Sequence, residues 1–213
     1  GDVYKRQALD HPDVCGISIA TRPDCLGIEV LDLLAKLRDE YPDKFLWIEL
    51  GLQTIHEDTA RYIRRGYPLS CFEQACADLK ALQIPFIVHT ILGLPGETDT
   101  QVLQTMDCLN RIQPFGIKLQ LLHVLKDTDL ADDYLAGKFE ALTFDAYIDL
   151  VISCLAHLSP DIVIHRVTGD GPKNLLIAPT WSMDKRGVLN ELHHRMKKQG
   201  IRQGDLFQKD NYS

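Results

Sequence analysis

Short apolar runs alternate with amphipathic stretches from residue 14 to residue 124, and this alternation restricts the fold more than any other feature of the chain. Val14 to Ala20, Phe45 to Leu50, Phe86 to Leu92 and Gly116 to Val124 have the length and apolar character of strands. Between them, Val30, Leu31, Leu34 and Leu37 fall at helical spacing, as do Phe72, Ala75, Cys76, Leu79 and Leu82, and then Val102, Met106 and Leu109. Three pairs, Thr54 with Glu57, Ser70 with Glu73 and Thr98 with Gln101, have the spacing of capping boxes that open helices. A strand that reaches the next strand only through a helix pairs with it in parallel, so the fold class is α/β. The units recur at roughly 30–40 residues, which a βαβ crossover accommodates. The strands are nearly continuous in apolar residues. That fits a sheet covered on one side by helices and closed on the other, as in a parallel (β/α) barrel.

After Lys126 the pattern loosens. Tyr147, Leu150, Val151, Cys154, Leu155 and Leu158 mark a helix, and Asp161 to Val167 a further strand. A turn comes next at Gly169-Asp170-Gly171-Pro172, and a polar helix spans about Lys185 to Lys198. Three segments are therefore expected: residues 8–126 as a partial barrel, 127–213 as a closing unit with a C-terminal α/β extension, and 1–7 set apart. Gly1 to Gln7 has no evident relation to the rest of the chain, and it is excluded from the fold reading as a fused remnant.

The net charge of -7 gives no electrostatic reason to expect broad binding to nucleic acid or anionic membrane. No run approaches the roughly 20 apolar residues of a membrane span. The six cysteines are scattered through patterned segments and include no CxxC or CxxxC pair, so free thiols in a reducing cytoplasm are expected.

Parallel α/β folds bind ligands at the carboxyl ends of their strands. There the first strand offers Arg22 and Asp24, the second Glu49 and Gln53, the third His89, and the fourth Lys118, Gln120 and His123. A carboxylate inside Trp47-Ile48-Glu49-Leu50 is costly unless it is satisfied, which favours a functional role for Glu49. Each residue also has a plainer reading. Arg22 and Asp24 make a local ion pair, Gln53 supports a turn, His89 is a core histidine, and Lys118 and His123 lie outside the barrel. Arg64 and Arg65 sit at a helix end, where the dipole favours cations. Gly93-Leu94-Pro95-Gly96 comes directly after a strand and lacks the Lys-Ser/Thr ending of a phosphate-binding loop.

Taken together, Glu49-Leu50-Gly51-Leu52-Gln53-Thr54, Arg65-Gly66 and His89-Thr90-Ile91-Leu92-Gly93-Leu94-Pro95-Gly96-Glu97-Thr98 resemble the second half of radical S-adenosylmethionine barrels. Gly16 to Asp24, Leu121 to Lys126 and Arg166 to Pro172 extend the resemblance to a bacterial family related to the Elongator catalytic subunit. The resemblance implies reductive cleavage of S-adenosylmethionine at a [4Fe-4S] cluster and a deoxyadenosyl radical that takes hydrogen from a substrate. It implies an electron donor such as flavodoxin or ferredoxin, and tRNA as the candidate substrate. It places Gln53 and Arg65 on the cofactor's amino-acid or ribose end, and Arg22 or Asp24 on the ribose or amino-acid group. Glu49 and His89 face the same cavity, and Gly93 and Pro95 shape the wall near adenine.

The cluster-binding CxxxCxxC loop has no counterpart in the sequence. The chain is therefore expected to be an N-terminally truncated barrel, inactive alone, with first strands missing and a sheet edge exposed. Two other readings stand beside it. One is a metal-independent barrel lyase with Lys118 as the catalytic amine; the other is a non-catalytic S-adenosylmethionine-binding scaffold that lost its cluster.

Overall fold

In a computed structural model that describes residues 2–169 and 171–208, the polypeptide winds through alternating strands and helices in the order the patterning demands. Helix α1 (Asp2–Asp10) leads into β1 (Gly16–Thr21), α2 (Ile28–Glu40), β2 (Phe45–Gln53), α3 (Glu57–Tyr62), α4 (Leu69–Ala81) and β3 (Phe86–Leu92). Then come α5 (Asp99–Ile112), β4 (Gly116–Leu121), β5 (Val124–Leu125), α6 (Asp129–Leu135) and α7 (Phe144–His157). The chain ends with β6 (Val163–Arg166), β7 (Leu176–Ala178) and α8 (Lys185–Gln199).

Five strands form one open parallel sheet in the order β1-β2-β3-β4-β6, while β5 and β7 make a small antiparallel pair beside it. Period-two geometry sorts the residues of β2 onto two faces. Leu46, Ile48, Leu50 and Leu52 are buried in the core with Leu34 and Leu37 of α2 and Phe72 and Leu79 of α4. Phe45, Trp47, Glu49, Gly51 and Gln53 point to the opposite, open face. Long α7 is buried on most of its faces, and Arg195 of α8 ties the two helices together through Asp145 and Asp149.

The helices begin differently from their sequence signals at two places. Thr98 and Gln101 form the capping box at α5. By contrast, α3 starts after His56 and α4 after Pro68, both without a side-chain cap. Thr54 is instead buried, its hydroxyl accepting from the His56 amide at 3.1 Å, and Glu57 accepts from the Leu69 amide at 2.7 Å. Thr54 is used by a local turn and Glu57 by an amide twelve residues away, so neither is left to cap α3.

The fourth strand stops at Leu121 and two residues outside any strand precede β5, so Gly116 to Val124 is not one strand. Val30, expected on the core face of α2, is exposed. Helix α1 runs across the boundary placed at residue 8, and Arg6 pairs with Glu40 of α2. Asp170 of the glycine turn lies outside the described residues. Among the described residues no helix is long and apolar enough to cross a membrane.

Candidate cofactor site

The carboxyl ends of β1 to β4 open into a cavity of about 760 Å³, within the usual range for small-molecule sites. Its apolar wall comes from Tyr67, Ile91, Leu94 and Leu122. Arg22 and Gln53 supply polar groups. The far wall is α6, latched to the α3 end by Arg64 with Asp129 and by Tyr62 Oη donating to Asp133 at 2.6 Å.

Gln53 is placed by strain in the backbone. The ladder between β2 and β3 slips between Gly51 and Gln53, and Gln53 takes a φ of 66°, in the left-handed region. This turns its side chain over Gly51, where a Cβ would sit 2.7 Å from Gln53 Nε2 and 3.2 Å from Tyr67 Oη. Gln53 Oε1 is buried and has no partner among the described residues. A buried acceptor left unpaired costs about 1–3 kcal/mol, so a ligand donor is the physical expectation at this point.

Arg22 forms a two-pronged ion pair with Asp24, at 2.9 Å through Nε, and lies over the Tyr67 ring, 5.5 Å from its centroid. The pair pushes the Arg22 pKa up and the Asp24 pKa down, the hydrogen bond between them being the main cause on each side. Arg65 is committed differently. Its side chain is 1% exposed and donates to the carbonyls of Tyr67 (2.9 Å), Leu52 (3.4 Å) and Thr54 (2.7 Å), and it pairs with Glu57 at 2.9 Å. The expectation that Arg65 holds the cofactor directly meets a guanidinium whose donors already fix the loop under Gln53.

Glu49 and His89 occupy a deeper layer of the same open face, four residues below Gln53 along β2 at roughly 3.3 Å per residue. Glu49 accepts from Ser18 Oγ of β1 at 2.7 Å, from His89 Nε2 of β3 at 2.6 Å and from the Lys118 ammonium of β4. Gln120 Nε2 donates to His89 Nδ1 at 3.2 Å, so the imidazole is neutral with its proton on Nε2. Burial pushes the Glu49 carboxyl up, but the bonds from Lys118, Ser18 and His89 outweigh it and hold the pKa at about 2. Burial and the Lys118 charge lower His89, against the raising effect of Glu49.

Lys118 does not lie outside the barrel; it sits on the inner layer because β4 starts at Gly116, which puts even-numbered residues on the open face. The lyase reading needs Lys118 as a free amine, and here its ammonium is bound to Glu49. Below this layer Phe45, Trp47, Phe115 and His165 pack ring to ring. Gly93 has a φ of 82° and lies against Leu142, so Leu94 rather than Gly93 or Pro95 forms the cavity wall. His123 lies apart, bonded to Ser182. Sequence reasoning misses Tyr67 and Ser18, although Ser18 is a polar interruption of an apolar strand, the same signal that Glu49 gives.

S-adenosylmethionine fits what the cavity offers: apolar walls and a ring at Tyr67, a cation at Arg22 and an unpaired buried acceptor at Gln53. A [4Fe-4S] cluster does not fit the described residues. Among them no three His, Cys, Asp or Glu side chains converge as a metal site. Burial also raises the thiol pKa values of Cys76, to about 12, Cys108 and Cys154, which opposes the thiolate form a cluster requires.

The chain is 42% identical over 202 residues to the Bacillus subtilis protein YtqA, covering 95% of this chain and 61% of that protein. It is 35% identical over 201 residues to MJ0486 of Methanocaldococcus jannaschii, covering 94% and 62%. Human Elongator complex protein 3 is 27% identical over 196 residues, covering 90% of this chain and 34% of the human protein. The chain thus spans about three fifths of the length of the first two relatives. Elp3 of Methanocaldococcus infernus superposes with a TM-score of 0.76 at 19% identity, covering 89% of this chain and 43% of that one. Coproporphyrinogen III oxidase (HemN) of Escherichia coli does so with a TM-score of 0.50 at 17% identity, covering 66% and 31%. These two show a shared fold. The family model of the Radical_SAM C-terminal domain matches residues 114–198, and that of the radical SAM superfamily matches residues 2–109, half of the chain, so this protein belongs to the radical SAM superfamily.

Proposed function

We propose that the cavity at the carboxyl ends of β1 to β4 is a binding site for S-adenosylmethionine. The observation that carries this reading is Gln53 Oε1, a buried acceptor without a partner among the described residues, set in the cavity wall by a strained backbone. Arg22 is the group for the cofactor's carboxylate, and its contact with the Tyr67 ring fixes it at the cavity rim. Tyr67, Ile91 and Leu94 supply the apolar surface for adenine and exclude water from one side of it. Arg65 acts one step back, clamping the Leu52 and Thr54 carbonyls that flank Gln53.

The whole protein, on this reading, is a cytoplasmic radical SAM enzyme that cleaves its cofactor reductively at a [4Fe-4S] cluster. It draws electrons from a flavodoxin or ferredoxin. Kinship with Elongator complex protein 3 makes tRNA the first substrate to try. The described residues supply no ligand set for that cluster.

Calorimetric titration of the chain with S-adenosylmethionine tests the site. Saturable binding is expected, weakened roughly tenfold in Gln53→Ala, a loss of about 1.4 kcal/mol. Absence of saturable binding, or binding unchanged in both Gln53→Ala and Arg22→Ala, would sink the proposal.

A further inference from the structure

Helix α6, the far wall of the cofactor cavity, is packed on a small core of its own. Thr128, Asp129, Leu130 and Asp133 line the cavity. Ala131 and Tyr134 instead join an apolar cluster with Val124 of β5, Ala178 of β7 and Phe139. That cluster is separate from the main core, which gathers residues of β2, β3, β4, α2, α4, α5 and α7. The helix also draws its main-chain bonds from itself. The amides of Ala131, Asp132, Ala136, Gly137 and Lys138 all bond to carbonyls within residues 128–134.

The two sides of α6 are held with unequal strength. One side is apolar and buried in its cluster, with Ala131 3% exposed. The cavity side is joined to the end of α3 by Arg64 with Asp129 and by Tyr62 Oη with Asp133. The Arg64 and Asp129 side chains are 77% and 72% exposed, and an ion pair that wet contributes little and is screened by salt. Lys138 pairs with Asp133 at 2.6 Å, but at the helix's own end, so it does not tie α6 across the cavity. Left-handed backbone flanks the helix on both sides, at Asp127 (φ 62°) and at Gly137 (φ 73°), where open space surrounds the Cβ position. Residues beside an element's ends are where a swing of that element is absorbed. A segment with few buried contacts and exposed polar ties opens more readily than the sheet behind it.

We propose that α6 is a lid on the cofactor cavity, latched by Tyr62–Asp133 and Arg64–Asp129. It turns about its own small core to admit S-adenosylmethionine, then brings Leu130 back over the ligand and excludes water. The identity of the ligand rests on the reading of this cavity as an S-adenosylmethionine site.

Hydrogen exchange of the full chain tests the lid in the double variant Tyr62→Phe/Arg64→Gln, which removes the latch without changing any residue of α6. Both positions are exposed, and glutamine takes the left-handed backbone of Arg64 elsewhere in the chain, at Gln83 and Gln113, so the fold is kept. Without ligand, α6 amides are expected to exchange ahead of those of β3 in the wild type. In the variant they are expected to exchange roughly fivefold faster again, with β3 unchanged. Saturating S-adenosylmethionine is expected to slow the exchange of α6. Equal α6 exchange in wild type and variant, or an acceleration that β3 shares, overturns the latch. Bound S-adenosylmethionine that leaves α6 exchange unaltered overturns the lid. Faster exchange in the variant with no binding of S-adenosylmethionine supports the latch and sinks the cofactor reading instead.

Discussion

Lys118 on β4 reaches past β3 to the carboxylate of Glu49 on β2, and His89, the Cα partner of Lys118 on β3, donates to the same carboxylate oxygen. Ser18 on β1 completes the set from the other side. One carboxylate therefore links four neighbouring strands on the open face. The side chains of Glu49, Lys118 and His89 are 14%, 17% and 21% exposed, dry enough for the charges to be felt and wet enough for both to remain ionised.

Replacing Glu49 by Gln keeps the shape and removes the charge that Lys118 faces. A buried pair broken at one partner costs more than an exposed one, and partial exposure moderates the loss. Glu49→Gln is expected to lower the unfolding free energy by about 1–3 kcal/mol, read as a drop in the urea midpoint. Full stability in that variant would show the four-strand link to be energetically idle.

The same network sets a dependence on pH. The Glu49 carboxyl lies at about 2 in the folded chain, below its ordinary unfolded value, so its contribution is present above pH 4.5 and lost as pH falls toward 2. His89 is also depressed; the unfolded chain takes up its proton first as pH falls below about 6.5, which again removes stability on the acid side. His123 and His165 are lowered by burial and act in the same direction. The melting temperature is expected to fall between pH 7 and pH 5 and again below pH 4.5. In His89→Gln the first fall is expected to become shallower. An identical slope in that variant would assign the upper step to the other histidines alone.

Arg65 supports the cofactor loop from beneath. Its donors meet the carbonyls of Thr54 and Tyr67 and, beside the Thr54 amide, that of Leu52. Arg65→Met takes the side-chain donors from the Thr54 and Tyr67 carbonyls and the ion pair from Glu57, while Leu52 keeps the Thr54 amide and Glu57 the Leu69 amide, a loss of about 3 kcal/mol on the scale of single buried hydrogen bonds. Lysine offers three donors from a point and cannot reproduce the planar fork, so Arg65→Lys is expected to recover only part of it. Thermal unfolding of the two variants distinguishes this supporting role from direct contact with the cofactor, which would weaken binding without a change in melting temperature.

Periodicity alone is enough to place β3 and the core faces of α4 and α5, because apolar spacing and burial coincide there. Glu49 and His89 are legible for a related reason: each interrupts an apolar strand, and a polar group in that position must find partners. The partners are harder to see. That Lys118 reaches Glu49 results from the pairing register of three strands, which no single stretch of sequence encodes. The capping signals at Thr54 and Ser70 fail because the chain there is organised from a distance: Glu57 binds Arg65 and the Leu69 amide in place of its own helix start. Helix α6 is too short for Leu130, Ala131 and Tyr134 to show a period, although Ala131 and Tyr134 pack with Val124 and Ala178. Its outer side is tied to Tyr62 and Arg64 through Asp133 and Asp129, contacts between exposed polar groups far apart in sequence.

Gly51 offers a way to disturb the proposed S-adenosylmethionine site without touching a binding group. A methyl at this position would lie 2.7 Å from Gln53 Nε2, the far end of a flexible side chain, and 3.2 Å from Tyr67 Oη. Neither neighbour is backbone, so the sheet can keep its register while Gln53 swings away and Tyr67 yields slightly. Tyr67 Oη donates to the Gly51 carbonyl, which links that ring to the same peptide. Gly51→Ala is therefore expected to leave thermal stability within about 1 kcal/mol of wild type, as for a substitution absorbed by a mobile neighbour. Affinity for S-adenosylmethionine is expected to fall roughly tenfold, because the unpaired Oε1 leaves its position in the cavity wall. In the double variant Gly51→Ala/Gln53→Ala the two losses should fail to add, since the first acts through the residue the second removes. Additive losses would place the effect of Gly51 on Tyr67 instead and shift the weight of the site onto the ring and the Arg22 that rests on it.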